Sequence, residues 1–170
     1  MREAMIWAAV QMSSQADVAA NMERVRVFVE KAASRKARVV LLPEGFAYMG
    51  DEEGKQRIAE DLDAGGDVTN ALCALSRGHG LWIIAGGMAE RSGDAARPFN
   101  TCAVFGPSGT LVGKYRKMHL FDVDLADGSR GPGYLRAHGV RRRGRARGGA
   151  RLLQLRGAEL PRRPPRAGHA

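Results

Sequence analysis

Cysteine is scarce in the 170-residue sequence, which contains only Cys73 and Cys102. Two cysteines cannot form a disulfide framework, so a reducing, cytoplasmic compartment is the simpler expectation. Long hydrophobic runs are also missing: the apolar stretch near the N-terminus (MIWAAVQM) is too short for a membrane span or for the hydrophobic region of a signal peptide. No second histidine or cysteine lies at ligand spacing from His119, so the sequence predicts no metal site.

Acidic residues are almost absent from the last forty positions. Residues 131–170 contain 11 arginines and one acid, Glu159, whereas residues 1–130 contain 16 basic and 17 acidic side chains. The net charge of +9 therefore comes from the C-terminal segment alone. Such a segment could contact nucleic-acid phosphates, but its single aromatic residue, Tyr134, leaves base stacking nearly absent. We therefore expect no nucleic-acid partner.

Hydrophobic periodicity also ends near residue 130. We predict that residues 1–130 form a folded domain and that residues 131–170 form an irregular Arg/Gly/Ala/Pro-rich tail, disordered or non-native. The tail has too little apolar surface to offset the entropy lost when a chain becomes ordered. Within it, only residues 150–160 have the composition of a short helical turn. The same amino-acid bias is expected when GC-rich codons are read out of register, which motivates the hypothesis of a truncated or frameshifted C-terminus.

Residues 5–115 alternate between short apolar runs and amphipathic segments, which predicts an α/β domain whose sheet needs cover on at least one face. A Gly-Pro-Ser-Gly turn at 106–109 predicts a hairpin. The predicted strands are 5–12, 38–42, 81–85, 100–105 and 110–115. The first predicted helix is capped by Asp17 or Asn21 and runs to Ser34, and the second covers 51–60. The third is capped by Asp67, runs through Ser76 and is ended by Gly78 or Gly80.

Glu44 directly follows the second predicted strand, in LLPEGF. The carboxyl ends of strands are where α/β folds build their active sites. A partly buried carboxylate at that place would have a raised pKa and could act as a general base. The alternative from these residues alone is a glutamate that caps the next helix or faces solvent.

Lys114 lies near the end of the second predicted hairpin strand, and Arg116 and Lys117 follow that strand, in GKYRKMHLFD. An ammonium group fixed beside the apolar MHLF stretch can stabilise the anion that develops when a carbonyl is attacked. The alternative is a solvated basic strand. For His119, a hydrogen bond to a carboxylate is a commoner role than catalysis.

The order of LLPEGF, LWIIAGGMAER and FNTCAVFGPSGTLVGKYRKMHLFDVDL resembles the nitrilase, or carbon–nitrogen hydrolase, superfamily over residues 5–130. Within it, the sequence is most similar to the amidase branch that includes the omega-amidases and the deaminated-glutathione amidases. The resemblance implies a nitrilase-like α-β-β-α sandwich that pairs into homodimers, and a Glu-Lys-Cys catalytic set that needs no cofactor. Glu44 matches the general base, and Lys117, not Lys114, matches the lysine.

The reaction that this resemblance implies is hydrolysis of a non-peptide C–N bond in a small amide or nitrile. A thiolate attacks the carbon, the glutamate takes the thiol proton and passes it to the leaving nitrogen, and the lysine stabilises the oxyanion. Water activated by the same glutamate then hydrolyses the thioester.

The cysteine that this chemistry requires is not evident. The resemblance implies a motif like Cys-Tyr-Asp-x-Arg-Phe-Pro-Glu well beyond Lys117, but no cysteine follows Cys102. We interpret Cys73 and Cys102 as small buried hydrophobes. The sequence therefore predicts an incomplete domain that is inactive as it stands, with an exposed hydrophobic sheet face. The alternative is a nitrilase-like pseudoenzyme or a binding module whose basic tail contacts nucleic acid.

Overall fold

The structure is a computed structural model that describes residues 4–118 and 150–156. His119 and the predicted features at 120–149 and 157–170 lie outside these residues. The described part forms one mixed sheet with three helices, which confirms the predicted α/β class. Its elements are β1 (Met5–Gln11), α1 (Val18–Ser34), β2 (Val39–Leu42), α2 (Glu52–Arg57), α3 (Asp67–His79), β3 (Trp82–Glu90), β4 (Phe99–Phe105), β5 (Leu111–Arg116) and β6 (Ala150–Arg156).

The strands lie in the order β5-β4-β3-β2-β1-β6. β6, β1, β2 and β3 are parallel to one another, while β4 is antiparallel to both β3 and β5. This arrangement follows from the connections. Helices α1 and α3 return the chain across the sheet between parallel strands, whereas the short turn at 106–109 can join only antiparallel neighbours.

Helices α1 and α3 form the layer that covers one face of the sheet. Asp17 caps α1 as predicted, accepting a hydrogen bond from the main-chain nitrogen of Ala20 at 3.0 Å. The apolar side chains of α1 repeat at i, i+3, i+4 and i+7, so one stripe of the helix is buried. They pack with the inward residues of the strands in a core that includes Val25, Phe28, Val29, Ala32, Val40, Leu42, Leu72, Ile83, Ala85, Ala103 and Phe105.

The N-terminus of α3 differs from the prediction. Asp67 is the first helical residue and not the cap, and Gly66 at the cap position has no side chain to offer. The Glu60 carboxylate takes over this role, accepting hydrogen bonds from the main-chain nitrogens of Val68 at 2.7 Å and Thr69 at 2.9 Å. A cap supplied from seven residues upstream leaves no local sequence signal, which is why it was missed. The helix ends, as predicted, at Gly80 with φ of 61°.

The opposite face of the sheet is apolar and partly open within the described residues. Leu41 and Trp82 are 39% and 40% exposed there. Their neighbours on adjacent strands are also apolar: Val39 pairs with both Trp7 and Trp82, and Leu41 pairs with Ile84. Side chains alternate between the two faces along each strand, and the inward ones pack with α1 and α3, so the opposite face receives neither of these two helices. The described residues thus form one helix layer on one sheet, which is half of the implied sandwich.

Strand β3 is longer than predicted. The prediction stopped at Ala85 because glycines interrupt strands, but the strand continues through Gly86 and Gly87 to Glu90. The pairing with β4 shifts register between Ala85 and Met88, as at a β-bulge. The two glycines therefore bend the strand without ending it.

The helical turn predicted for residues 150–160 is wrong for residues 150–156, which form a strand. The irregular tail at residues 131–170 stays a prediction. Residues 150–156 form β6, which pairs with β1 in parallel from Met5↔Ala150 to Gln11↔Arg156. The edge of β1 opposite β2 carries main-chain donors and acceptors, and pairing with an added strand satisfies them. Local composition contains no information about such a long-range partner.

Candidate active site

Glu44 lies just beyond the carboxyl end of β2, where the chain turns sharply away from the sheet. Pro43 ends the strand, and Gly45 adopts a φ of +67°, which a residue with a side chain rarely tolerates. The following loop is held by Asn21, whose side chain is fully buried and donates hydrogen bonds to the main-chain oxygens of Ala47 at 2.9 Å and Gln15 at 2.7 Å. Asn21, the alternative cap of α1, therefore anchors the loop after Glu44 instead.

Lys117 reaches Glu44 from the end of β5. Its main-chain nitrogen donates to the carbonyl oxygen of Asn100 at 2.8 Å, which continues the β4–β5 ladder past the last residue of the strand. Its Nζ lies 3.3 Å from Oε1 of Glu44. The two residues named from the sequence are thus brought together, across 73 positions of chain.

Lys114, the other lysine considered, belongs to a different cluster. Positions 114 and 117 are three apart, so along an extended chain their side chains leave on opposite faces. Lys114 and Arg116 turn toward Glu90, which is 2% exposed and accepts from Lys114 Nζ at 2.8 Å and from Arg116 at 2.8 and 2.9 Å. The hydroxyl of Thr101 donates to the same carboxylate at 2.7 Å. This cluster links side chains of β3, β4 and β5 through the Glu90 carboxylate.

Asn100 is the member of the site that the sequence analysis missed. It is 5% exposed on β4, and its Nδ2 donates to Glu44 Oε1 at 2.7 Å. Among the described residues, the Oε1 atom accepts from both Asn100 and Lys117, while the other carboxylate oxygen has no hydrogen bond. The available signal was a polar residue in the otherwise apolar strand FNTCAVF, although it indicates no partner.

Gly86 and Gly87 make room for these side chains. A Cβ on Gly86 would lie 2.9 Å from the carbonyl oxygen of Leu42, and a Cβ on Gly87 would lie 2.6 Å from Cγ of Glu44 and 3.2 Å from Oδ1 of Asn100. Gly87 also has a φ of +67°. The bulge in β3 is therefore the feature that lets the Glu44 side chain lie against the sheet.

The pKa of Glu44 is shifted in the direction opposite to the raised pKa expected from the sequence. The pKa is lowered, chiefly by the hydrogen bond from Asn100; burial opposes this, and Lys117 and the more distant Lys55 add to it. The Glu44 side chain is 63% exposed, so burial is too slight to dominate. An ion pair this exposed contributes at most about 1 kcal/mol of stability. The carboxylate is ionised at neutral pH and able to accept a proton.

A cleft of about 170 Å³ opens beside Glu44. Typical pockets for drug-sized ligands measure about 300–1,000 Å³, so this cleft suits a small molecule. Its wall is mostly apolar, with charged groups from Glu44, Glu60 and Lys55; the apolar lining includes Ala47, Met49, Ile58, Val68, Met88 and Ala89. The ammonium group of Lys55 is paired with Glu52 at the rim.

Of the Glu44 contacts, neither Lys117 nor Asn100 lines this cleft, and neither cysteine does. Cys73 is half-buried on α3 and packs against the hydrophobic core, and Cys102 is half-buried on β4. Burial raises the pKa of both thiols, although Arg77 partly offsets the effect at Cys73. A thiol with a raised pKa is mostly protonated at neutral pH and is a poor nucleophile.

Residues 4–118 and 150–156 contain no cluster of three or more His, Cys, Asp or Glu side chains arranged to hold a metal ion. No helix in the same part of the chain has both the length and the apolar composition to cross a membrane.

Comparison with known proteins places these residues in a family. The chain is 41% identical over 118 residues to the chloroplastic omega-amidase of Arabidopsis thaliana, a match that covers 68% of this chain and 31% of that protein. It is 36% identical over 118 residues to the omega-amidase NIT2 of Homo sapiens, covering 69% and 41%. These matches thus span less than half the length of either relative.

Solved structures show the same likeness. The NitFhit protein of C. elegans superimposes with a TM-score of 0.66 and 25% identity, covering 81% of this chain and 34% of that one. The family model described as carbon-nitrogen hydrolase matches residues 7–159. The chain therefore belongs to the carbon–nitrogen hydrolase family.

Proposed function

We propose that this chain contributes the glutamate and the lysine of an amidase-type site that hydrolyses the C–N bond of a small amide. Glu44 is the general base and Lys117 stabilises the oxyanion. The observation that carries the proposal is the 3.3 Å approach of Lys117 Nζ to Glu44 Oε1 beside the cleft. The likeness to omega-amidases supports amides as the substrate class.

The two groups suit the two charge changes of amide hydrolysis. An ionised carboxylate with one oxygen that accepts no hydrogen bond from residues 4–118 can take the proton of a thiol or a water and return it to the leaving nitrogen. An ammonium group beside it can stabilise the negative charge that develops on the carbonyl oxygen. A closed catalytic cycle through a thioester also needs a thiolate close to both groups.

We also propose that the 170-residue chain does not complete this cycle alone, because both of its thiols are half-buried and have raised pKa values. Homodimerisation and a cytoplasmic location remain proposals that follow from the family resemblance and the cysteine content. Sedimentation of the purified chain tests the first of these, and localisation of a tagged chain in its source cells tests the second.

The proposal is tested by separating ligand binding from turnover. A small primary amide is titrated into isotopically labelled chain while the main-chain signals of Gly87 and Met88, which line the cleft, are followed by NMR. We expect saturable shifts that weaken in Lys117→Met and persist in Lys31→Met, a control that removes an exposed lysine from the last turn of α1. Absence of shifts, or equal effects of the two variants, would contradict the assignment.

Ammonia release from the same amide measures turnover. We expect none from the purified chain. Turnover that disappears in Cys102→Ala or Cys73→Ala would overturn the proposed inactivity while leaving the roles of Glu44 and Lys117 in place.

A further inference from the structure

We propose that Asn100 is a positioning residue that fixes the rotation of the Glu44 carboxylate, so that Oε1 faces Lys117 and Oε2, which accepts no hydrogen bond from the described residues, is directed to take the substrate proton. This inference deepens the proposed function and rests on the assignment of Glu44 as the base.

The first argument is the geometry of the two hydrogen bonds. Asn100 Nδ2 and Lys117 Nζ both approach Oε1 of Glu44, at 2.7 and 3.3 Å. The amide must present its NH₂ group, because its oxygen at 2.7 Å from a carboxylate oxygen would be repelled. Rotation of the carboxylate would break the short bond from Asn100, so this bond defines the direction of the second oxygen.

The second argument is the difference in burial. The side chains of Glu44 and Lys117 are 63% and 37% exposed, and an ion pair between two such groups does not hold a fixed geometry in water. Asn100 is 5% exposed and lies in the β4 ladder, paired with Ala89 of β3. The rigid partner of the three is therefore the asparagine.

The third argument is that Asn100 contacts both proposed catalytic groups. Its side chain binds the carboxylate of Glu44, and its carbonyl oxygen accepts the main-chain hydrogen of Lys117 at 2.8 Å. One residue thus sets the separation between the base and the cation. The absence of a Cβ at Gly87 leaves space for this arrangement, because a Cβ there would contact both Glu44 and Asn100.

The test titrates Glu44 directly and needs no turnover. In chain labelled with ¹³C at the glutamate carboxyl carbons, the Glu44 signal is identified by its loss in Glu44→Gln, and its pKa is compared in the wild type, Asn100→Leu and Asn100→Asp. We expect the pKa of Glu44 to rise toward its ordinary range in Asn100→Leu and to rise further in Asn100→Asp, where a second carboxylate replaces the donor. Asn70→Asp, the same change on the exposed start of α3, leaves it unmoved.

Glu90 is the internal control. Its carboxylate binds Thr101, next to Asn100, and its pKa of about 2 reports whether β3, β4 and β5 remain in register. A rise confined to Glu44 supports the inference. A rise at both glutamates would show that Asn100 is merely structural, and no rise at either would show that it does not hold the carboxylate; both outcomes overturn the inference.

Asn100→Ser, which is smaller and keeps a donor, replaces the leucine variant if that variant fails to fold. The serine hydroxyl is too short to span the same distance, so the same rise is expected. Failure of the proposed function is distinguishable, because a chain that binds no amide still yields the Glu44 titration.

Discussion

Glu44 and Lys117 are 73 positions apart in the chain, yet their charged atoms approach to 3.3 Å. The contact arises because β2 ends at the same edge of the sheet as the extended end of β5, with β3 and β4 between them. The bulge at Gly86 and Gly87 lets the glutamate lie against β3, and the ladder bond from Lys117 to Asn100 brings the lysine alongside. The site is therefore a product of sheet order and register.

Replacing Gly87 should damage the site and the fold together. In Gly87→Ala the φ of +67° costs about 1–2 kcal/mol for a residue with a side chain, and the new Cβ would overlap Cγ of Glu44 at 2.6 Å. Chemical denaturation should show a loss of unfolding free energy of at least that size. Gly78→Ala is the matched control: it lies in α3 with no atom within 4 Å of a Cβ, so a gain of up to about 1 kcal/mol is expected. Equal effects of the two changes would contradict this account.

Acid should weaken the fold through Glu90. Burial disfavours the charged form, but the hydrogen bonds from Arg116, Lys114 and Thr101 prevail and lower its pKa from 4.5 to about 2. Because the folded-state pKa is the lower one, the stabilisation is fully present above pH 4.5 and is lost as the pH falls toward 2. The shift corresponds to on the order of 3 kcal/mol.

Urea denaturation between pH 2 and 6 measures this dependence. Glu90→Gln should be destabilised at pH 6, because Lys114 and Arg116 lose their buried counter-charge, and should have a flatter profile below pH 4.5. An unchanged slope in this variant would show that Glu90 is not the group responsible.

Glu60 should stabilise α3 from outside the helix. Its carboxylate binds the main-chain nitrogens of Val68 and Thr69, so Glu60→Ala should cost about 0.5–2 kcal/mol, as for loss of a helix cap. Thermal unfolding monitored by circular dichroism gives the value. Glu53→Ala, at a side chain 87% exposed on α2, should change stability by less than about 0.5 kcal/mol. A Glu60→Ala variant as stable as this control would rule out the cap.

The two thiols should react slowly. Burial raises the pKa of Cys102 and of Cys73, so less thiolate is present at neutral pH than in an unperturbed thiol. Alkylation by iodoacetamide at pH 7.5, followed by mass spectrometry, should be slower at both sites than for a free cysteine in a short peptide. Rapid labelling of Cys102 would contradict its description as a half-buried hydrophobe and would revive it as a candidate nucleophile.

The open sheet face should promote self-association. Leu41 and Trp82 are large apolar side chains, 39% and 40% exposed, on the face that α1 and α3 leave uncovered, and contiguous apolar surface of this kind favours aggregation. Trp82→Ser should raise the monomer fraction in sedimentation experiments. Met49→Ser, at a side chain 55% exposed in a loop, should have little effect. A monodisperse wild-type chain with a sharp cooperative transition would count against this prediction.

The sequence alone predicted the features that depend on neighbouring residues. Apolar periodicity located α1, and Asp17 marked its start, because a side-chain cap bonds within one turn. The Gly-Pro-Ser-Gly turn predicted the hairpin of β4 and β5, and a glutamate directly after an apolar run placed Glu44 at the end of β2. The family was recognisable at the same level, since its motifs are short and contiguous.

Only the tertiary structure decided the features that depend on register between distant segments. Three such features depend on partners that local composition does not specify. They are the continuation of β3 through two glycines, the pairing of β6 with β1, and the capping of α3 by Glu60. Side-chain alternation along the strand puts Lys114 and Lys117 on opposite faces. The order of the strands in the sheet determines that Lys117, and not Lys114, contacts Glu44. The pKa of Glu44 is lowered, whereas the sequence predicted a raised pKa. The reason is the same, because the shift depends chiefly on Asn100, a hydrogen-bond donor on another strand.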